Sequence, residues 1–263
     1  MRIHTHRLGL FAIALMSIGL IQCAEKDADK VGDAQICLNE GRSPSTCMAK
    51  VAGLETPAAY SIRCASMFIA ERFTDPQKYI DAFAQLNSNS SSLKTFMGLL
   101  TFSSGGTIAT DNANAATTFD YCYRSGARGA LVISSFGYLA TSLYKFFADS
   151  KTANAVAGAY CSATPGATGY DLPGCITGYA GSGNGALLSD LSNLTNAGTS
   201  NAAAASVQSA MGSIIITTYT LSCSSGGMAT SQICRTLLTA INNGGGIGNP
   251  RNVAVQFINV ATQ

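Results

Sequence analysis

Apolar positions along this chain recur mostly at the spacing of one face of a helix. Thr56 precedes Pro57, and the run AAYSIRCASMFIAERF continues to Phe73. Proline at a first helical position already has the helical φ and lacks an N–H that would go unused, so Pro57 marks a helix start. Thr74-Asp75-Pro76 repeats the device and opens QKYIDAFAQL, where Ile80 and Phe83 share a face. Over 184–194, Leu187, Leu188, Leu191 and Leu194 form one stripe of an amphipathic helix. Val207, Ala210, Met211, Ile214 and Ile215 repeat that pattern, as do Ile233, Leu237 and Ile241. Stretches rich in Gly, Ser and Asn separate these runs at 87–92, 103–114, 181–185 and 242–249.

Three segments qualify this pattern. Residues 130–147, ALVISSFGYLATSLYKFF, approach the length of a membrane span, but Ser134, Ser135, Thr141, Ser142 and Lys145 dilute them. The expected reading is a buried core helix, and the competing one a membrane-inserting hairpin. Residues 213–221 (SIIITTYTL) are β-branched, and 253–257 (VAVQF) alternate, so both fit strands. No Asn-Gly hairpin signal lies between them. The expected class is all-α, with a small β element near 213–221 and 253–257 as the alternative.

The N-terminus carries a different pattern. Arg2 and Arg7 precede the uncharged run LGLFAIALMSIGLI at 8–21, a basic region followed by an apolar core of signal-peptide length. Leu20-Ile21-Gln22-Cys23 follows, and then the charged stretch AEKDADK. These four residues resemble a bacterial lipobox. Gln22 stands where that pattern usually carries Gly, Ala or Ser, a looseness known among spirochaetal lipoproteins. The resemblance covers only the first thirty or so residues. It implies that Cys23 is acylated and becomes the first residue of the mature chain, which is then held to a membrane. The expected organisation is a signal peptide over 1–22, a lipidated flexible tether over 23–33, and one helical domain over 34–263 with a subdivision near 150.

Nine cysteines are present, and assigning Cys23 to lipid leaves Cys37, Cys47, Cys64, Cys122, Cys161, Cys175, Cys223 and Cys234. An even set in an exported chain reads as a disulfide framework. Spacing pairs Cys37 with Cys47, Cys161 with Cys175 and Cys223 with Cys234, each across a turn-rich segment. Cys64 and Cys122 pair by elimination. Each short bridge should add about 3 kcal/mol and the long one about 4 by the loop-entropy argument, so reduction should loosen the protein. Thiolate zinc sites prefer cysteines two to four residues apart, and no such pair occurs. The expected architecture is a bundle of helical hairpins pinned at their turns, with Cys64–Cys122 tying distant helices.

Charge narrows the partners. Removing Arg2 and Arg7 balances the sixteen basic residues against the fourteen acidic ones. No basic field remains to attract nucleic acid, and no polybasic patch to attract a bilayer. Between Lys151 and Arg235 only Asp171 and Asp190 are charged. Such a neutral surface favours association, and tethering or a partner would offset that tendency.

The chemistry is defined by what is missing. The only histidines, His4 and His6, lie in the signal, so the mature chain lacks the usual general base and the commonest metal ligand. Glu25, Glu40, Glu55 and Glu71 are far apart in sequence. A paired-carboxylate site would need long-range folding, with Asp171 or Asp190 as partners. The glycines at 181–185 and 244–248 fit neither dinucleotide nor nucleotide loops and read as linkers. Asp27-Ala-Asp29 lacks the glycine and glutamate that continue a calcium loop. Tyr60, Tyr79 and Tyr121 are candidates for an aromatic binding patch.

No catalytic residue, metal or cofactor is expected. The expected function is that of a non-enzymatic, lipid-anchored lipoprotein of the cell envelope. It would sit in the outer membrane, facing the periplasm or the surface, and bind an envelope or host protein or serve a structural role. The alternative is a helical ligand carrier or transport accessory with an apolar cavity.

Overall fold

A computed structural model describes residues 26–74, 97–149, 161, 164–165, 170–172, 174–175, 202–224 and 229–262. The described elements are α1 (26–39), α2 (Pro44–Lys50), α3 (Pro57–Ala70), α4 (Ile108–Ser125), α5 (Arg128–Asp149), α6 (Ala202–Ser222), α7 (Gln232–Asn243) and α8 (Pro250–Thr262). The fold is all-α, and no strand occurs among the described residues. The expected helices over 76–86 and 184–194 lie outside the described residues, as do the glycines at 181–185.

Local chemistry sets the helix ends. The Thr56 side chain accepts from Ala59 N at 3.2 Å, and Pro57 takes the first helical position of α3. Thr107 and Ser231 cap α4 and α7 in the same way. Gly126 closes α4 at φ 72°, a left-handed turn that glycine adopts without steric cost. At the end of α3 the same geometry falls on Arg72, at φ 57°. Its N–H donates to Ile69 O at 3.0 Å, and Phe73 N–H donates to Phe68 O at 2.8 Å. Those two bonds, with the Phe68–Phe73 edge contact at 5.7 Å, make a Schellman stop.

Three apolar clusters join these helices. Val31, Ala34, Leu38, Val51, Leu54 and Ile62 pack α1, α2 and α3 together, closed by Cys37–Cys47. Phe68, Phe73, Phe102 and Ala115 fill the joint of α3 and α4 around Cys64–Cys122. Phe73 and Phe102 meet edge to face at 5.1 Å. The largest cluster runs across residue 150 without a break: Phe136, Leu143 and Phe147 of α5 share it with Met211, Ile215, Leu237, Val253 and Phe257. α6 lies along both α8 and α5, and α7 packs on α8.

The β alternative is corrected. Residues 213–221 lie within α6, and 253–257 within α8. A β-branched residue costs only tenths of a kcal/mol in a helix. In return Met211, Ile215 and Thr218 on α6, and Val253, Ala254, Phe257 and Ile258 on α8, all become buried. Two smaller expectations also change. The stretch 26–33, expected as flexible tether, belongs to α1, because Val31, Ala34 and Leu38 form a helical stripe and Lys30 pairs with Asp27 at 3.7 Å. The separator at 103–114 ends at Thr107, whose cap starts α4 at Ile108.

Residues Arg128–Ala148 form a helix long and apolar enough to cross a membrane by length and composition, with 61% of the window buried within the protein. Leu131, Phe136, Leu139, Leu143, Tyr144 and Phe147 face the core, as the sequence reading of a core helix expects.

Candidate functional site

The cysteines pair as spacing and elimination predict: Cys37–Cys47, Cys64–Cys122, Cys161–Cys175 and Cys223–Cys234. Two of these, Cys37–Cys47 and Cys223–Cys234, fasten one helix to the next across a short connection. Cys64, in the middle of α3, is bonded to Cys122, in the last turn of α4, which puts the longest loop under covalent control. Cys23 lies outside the described residues.

Three groupings of side chains stand out beyond the bridges. The first is a half-open cleft of about 240 Å³ where α4, α5 and α6 meet. Phe119, Tyr138 and Ile214 give it apolar walls, with Ala210, Ser213 and Thr217 along the α6 side. Phe119 also stacks on Tyr123 at 6.5 Å, and Tyr123 is 61% exposed. Burial raises the Tyr138 hydroxyl, so that group remains a neutral donor. α6 has no charged residue in its 21 positions, so no charge from it opposes an apolar occupant. Ligand pockets usually enclose ~300–1,000 Å³, and this cleft falls below that range, at the size of one side chain or a short acyl segment.

The second grouping contains two of the tyrosines named from sequence. Tyr60 and Tyr121 lie with ring centroids 6.0 Å apart. The Arg63 guanidinium sits 4.9 Å from the Tyr60 centroid and 5.7 Å from that of Tyr121. Arg124 donates to the Tyr60 hydroxyl at 2.8 Å and pairs with Asp120 at 3.0 Å, while the Tyr60 hydroxyl donates to Glu55. The Tyr60 ring itself is buried, so this network locks α3 onto α4 and does not offer an open aromatic face. Tyr79 lies outside the described residues.

The third grouping is internal. Glu71 follows α3 and receives Ser103 N at 2.8 Å, Ser104 N at 3.2 Å and the Ser104 hydroxyl. Asp111, in the first turn of α4, receives Gly105 N at 2.5 Å and the Tyr170 hydroxyl at 2.7 Å. Tyr170 lies 4.5 Å from Tyr144, ring to ring. Burial pushes both phenols up, Tyr144 to about 12, with Asp171 adding to it, and Tyr170 further, with Asp111 adding there. The carboxylate partner of Glu71 is therefore Asp111, not Asp171, which instead receives Gly174 N at 2.8 Å. Asp190 lies outside the described residues, as does Glu25. Glu40 pairs with Arg42 at 2.7 Å and Glu55 with Arg124 at 3.6 Å, both at the surface. Buried as they are, Glu71 and Asp111 order the 103–105 turn through its backbone amides. Sequence reasoning did not single out Asp111. Its only local signal is an acidic residue in the first turn after the Thr107 cap.

Among the described residues no three His, Cys, Asp or Glu side chains converge as metal ligands would. No protein-family model, characterised protein or solved structure matches this chain.

Proposed function

We propose that this chain is a lipid-anchored lipoprotein of the cell envelope that acts by binding or by a structural role, without catalysis. One observation carries the reading. The four bridges use all eight cysteines that follow Cys23, so the ninth sulfur has no cysteine partner within the chain. That sulfur stands at the end of an apolar run of signal length, in a lipobox-like setting. A disulfide framework also suits an oxidising compartment outside the cytoplasm. The mature chain would meet its membrane through the acyl group, with an envelope or host protein as partner.

Mass spectrometry of the N-terminal peptide from the native organism tests this directly. Acylated Cys23 as the first residue is the expected result. A mature chain that begins elsewhere, or a Cys23 without lipid, overturns it. Protease shaving of intact cells then separates a surface position from a periplasmic one, and crosslinking on cells identifies the partner.

The cleft of Phe119, Tyr138 and Ile214 favours a second reading, a carrier for a small apolar group. Displacement of a bound fluorescent fatty-acid probe tests it. Binding that Ile214→Trp abolishes supports the carrier, and absence of probe binding removes it.

A further inference from the structure

The end of α3 and the start of α4 each bury a carboxylate, and one turn serves both. Glu71 and Asp111 are 5% and 0% exposed. Three successive backbone amides point at them: Ser103 N and Ser104 N at Glu71, and Gly105 N at Asp111. Two carboxylates within reach of three consecutive residues, out of water, repel each other far more strongly than at a surface. We propose that this pair is an acid-responsive joint, in which Glu71 takes up a proton as pH falls and the contact between the end of α3, the 103–105 turn and α4 tightens.

The surrounding groups determine which atom accepts the proton. Tyr170, between Cys161 and Cys175, donates to Asp111, and from α5, Tyr144 packs against Tyr170. Asp171 acts on Tyr144, and Arg72, the neighbour of Glu71, is exposed. Both phenols hold their protons through the acid and neutral range, so Tyr170 keeps donating to Asp111. The Gly105 N–H on the other Asp111 oxygen can only donate. Glu71 is placed differently. Its Oε1 faces the Ser104 hydroxyl, which can rotate and accept the proton of a neutral acid, while Oε2 still receives the Ser103 and Ser104 amides. Protonation therefore removes the repulsion from Asp111, reverses the Ser104 hydroxyl bond and leaves the two amides on Oε2 in place.

Burial, with the Asp111 charge adding to it, holds the Glu71 carboxyl above its ordinary value of 4.5, against the lowering effect of the Ser104 and Ser103 bonds. A carboxyl that holds its proton more tightly folded than unfolded stabilises the fold as pH falls. The gain begins as the folded group protonates and is complete below the unfolded value of 4.5. It is lost again as pH rises through the folded value.

The test is a carboxyl-carbon NMR titration of the disulfide-bonded protein, with urea midpoints followed from about pH 8 to about pH 5. The Glu71 resonance should titrate above 4.5 and the urea midpoint should rise on acidification. Asp111→Asn should move the Glu71 midpoint down, and Glu71→Gln should flatten the acid rise. A Glu71 carbon that titrates at or below 4.5 overturns the proposal, as does an unchanged pH slope in Glu71→Gln. If Glu71→Gln fails to fold, the wild-type titration decides alone.

Discussion

At Gly212 the backbone of α6 lies close against the start of α8, and replacing it with alanine is a sharp test of the packing. A Cβ built on Gly212 would lie 1.7 Å from the Pro250 carbonyl oxygen and 2.3 Å from its carbon. Ordinary contact begins at 3.4 Å, so the backbones must separate by the difference. The obstacle is a carbonyl at the start of α8 and cannot rotate aside. Separation would loosen Met211 and Ile215 against Val253, Phe257 and Ile258, all buried. It would also strain the bond from Arg251 Nε to Gln208 Oε1, 3.0 Å long in the same joint. Overpacking a core by one methyl costs ~1–3 kcal/mol, and a rigid backbone clash lies at or beyond the upper end. Alanine returns up to ~1 kcal/mol through helix propensity. The expected net loss is therefore roughly 2–3 kcal/mol, or a fall of about 1–1.5 M in urea midpoint at a slope of ~2 kcal/mol/M. Gly129→Ala is the control, because nothing lies within 4 Å of its Cβ, and it should be neutral or slightly stabilising. Far-UV circular dichroism against urea reads both. A Gly212→Ala variant within about 0.5 kcal/mol of the parent would refute the close approach of α6 and α8.

Two further outcomes are accessible by the same assay. Cys64→Ala with Cys122→Ala opens a bridge of sequence separation 58 and should cost about 4 kcal/mol, more than loss of the short Cys37–Cys47 bridge at about 3. Equal losses would show that loop length does not govern these bridges. Arg72→Gly should instead stabilise by a few tenths to about 1 kcal/mol, since φ 57° strains any residue with a Cβ, and a loss there would mean that the Arg72 side chain supports the turn.

The helices and bridges were legible because their signals are local. Pro57 after Thr56, the stripe from Val207 to Ile215, and cysteines 10, 14 and 11 residues apart each declare themselves within a few turns of chain. The β-branched run at 213–221 left the assignment open, because its propensity opposes its burial and only the neighbours α5 and α8 decide between them. The charges of Lys26 to Asp33 concealed the first turns of α1, which a stripe one residue in three or four holds to the N-terminal cluster. The Glu71–Asp111 pair was hidden for a different reason. Its members lie forty residues apart, and the turn that joins them is a Ser-Gly stretch with the composition of a linker. The cleft at Phe119 was equally illegible, since one wall comes from the successive helices α4 and α5 and the other from α6, remote in sequence.

The order of the sulfurs along the chain has a consequence for biogenesis. Every bridge joins a cysteine to the next one after it, so no bridge encloses or crosses another. A chain threaded N-terminus first into an oxidising compartment meets each partner before the next thiol arrives. With Cys23 withheld by the acylation proposed above, an oxidant that links thiols in order of emergence would produce the native set without an enzyme that reshuffles wrong linkages.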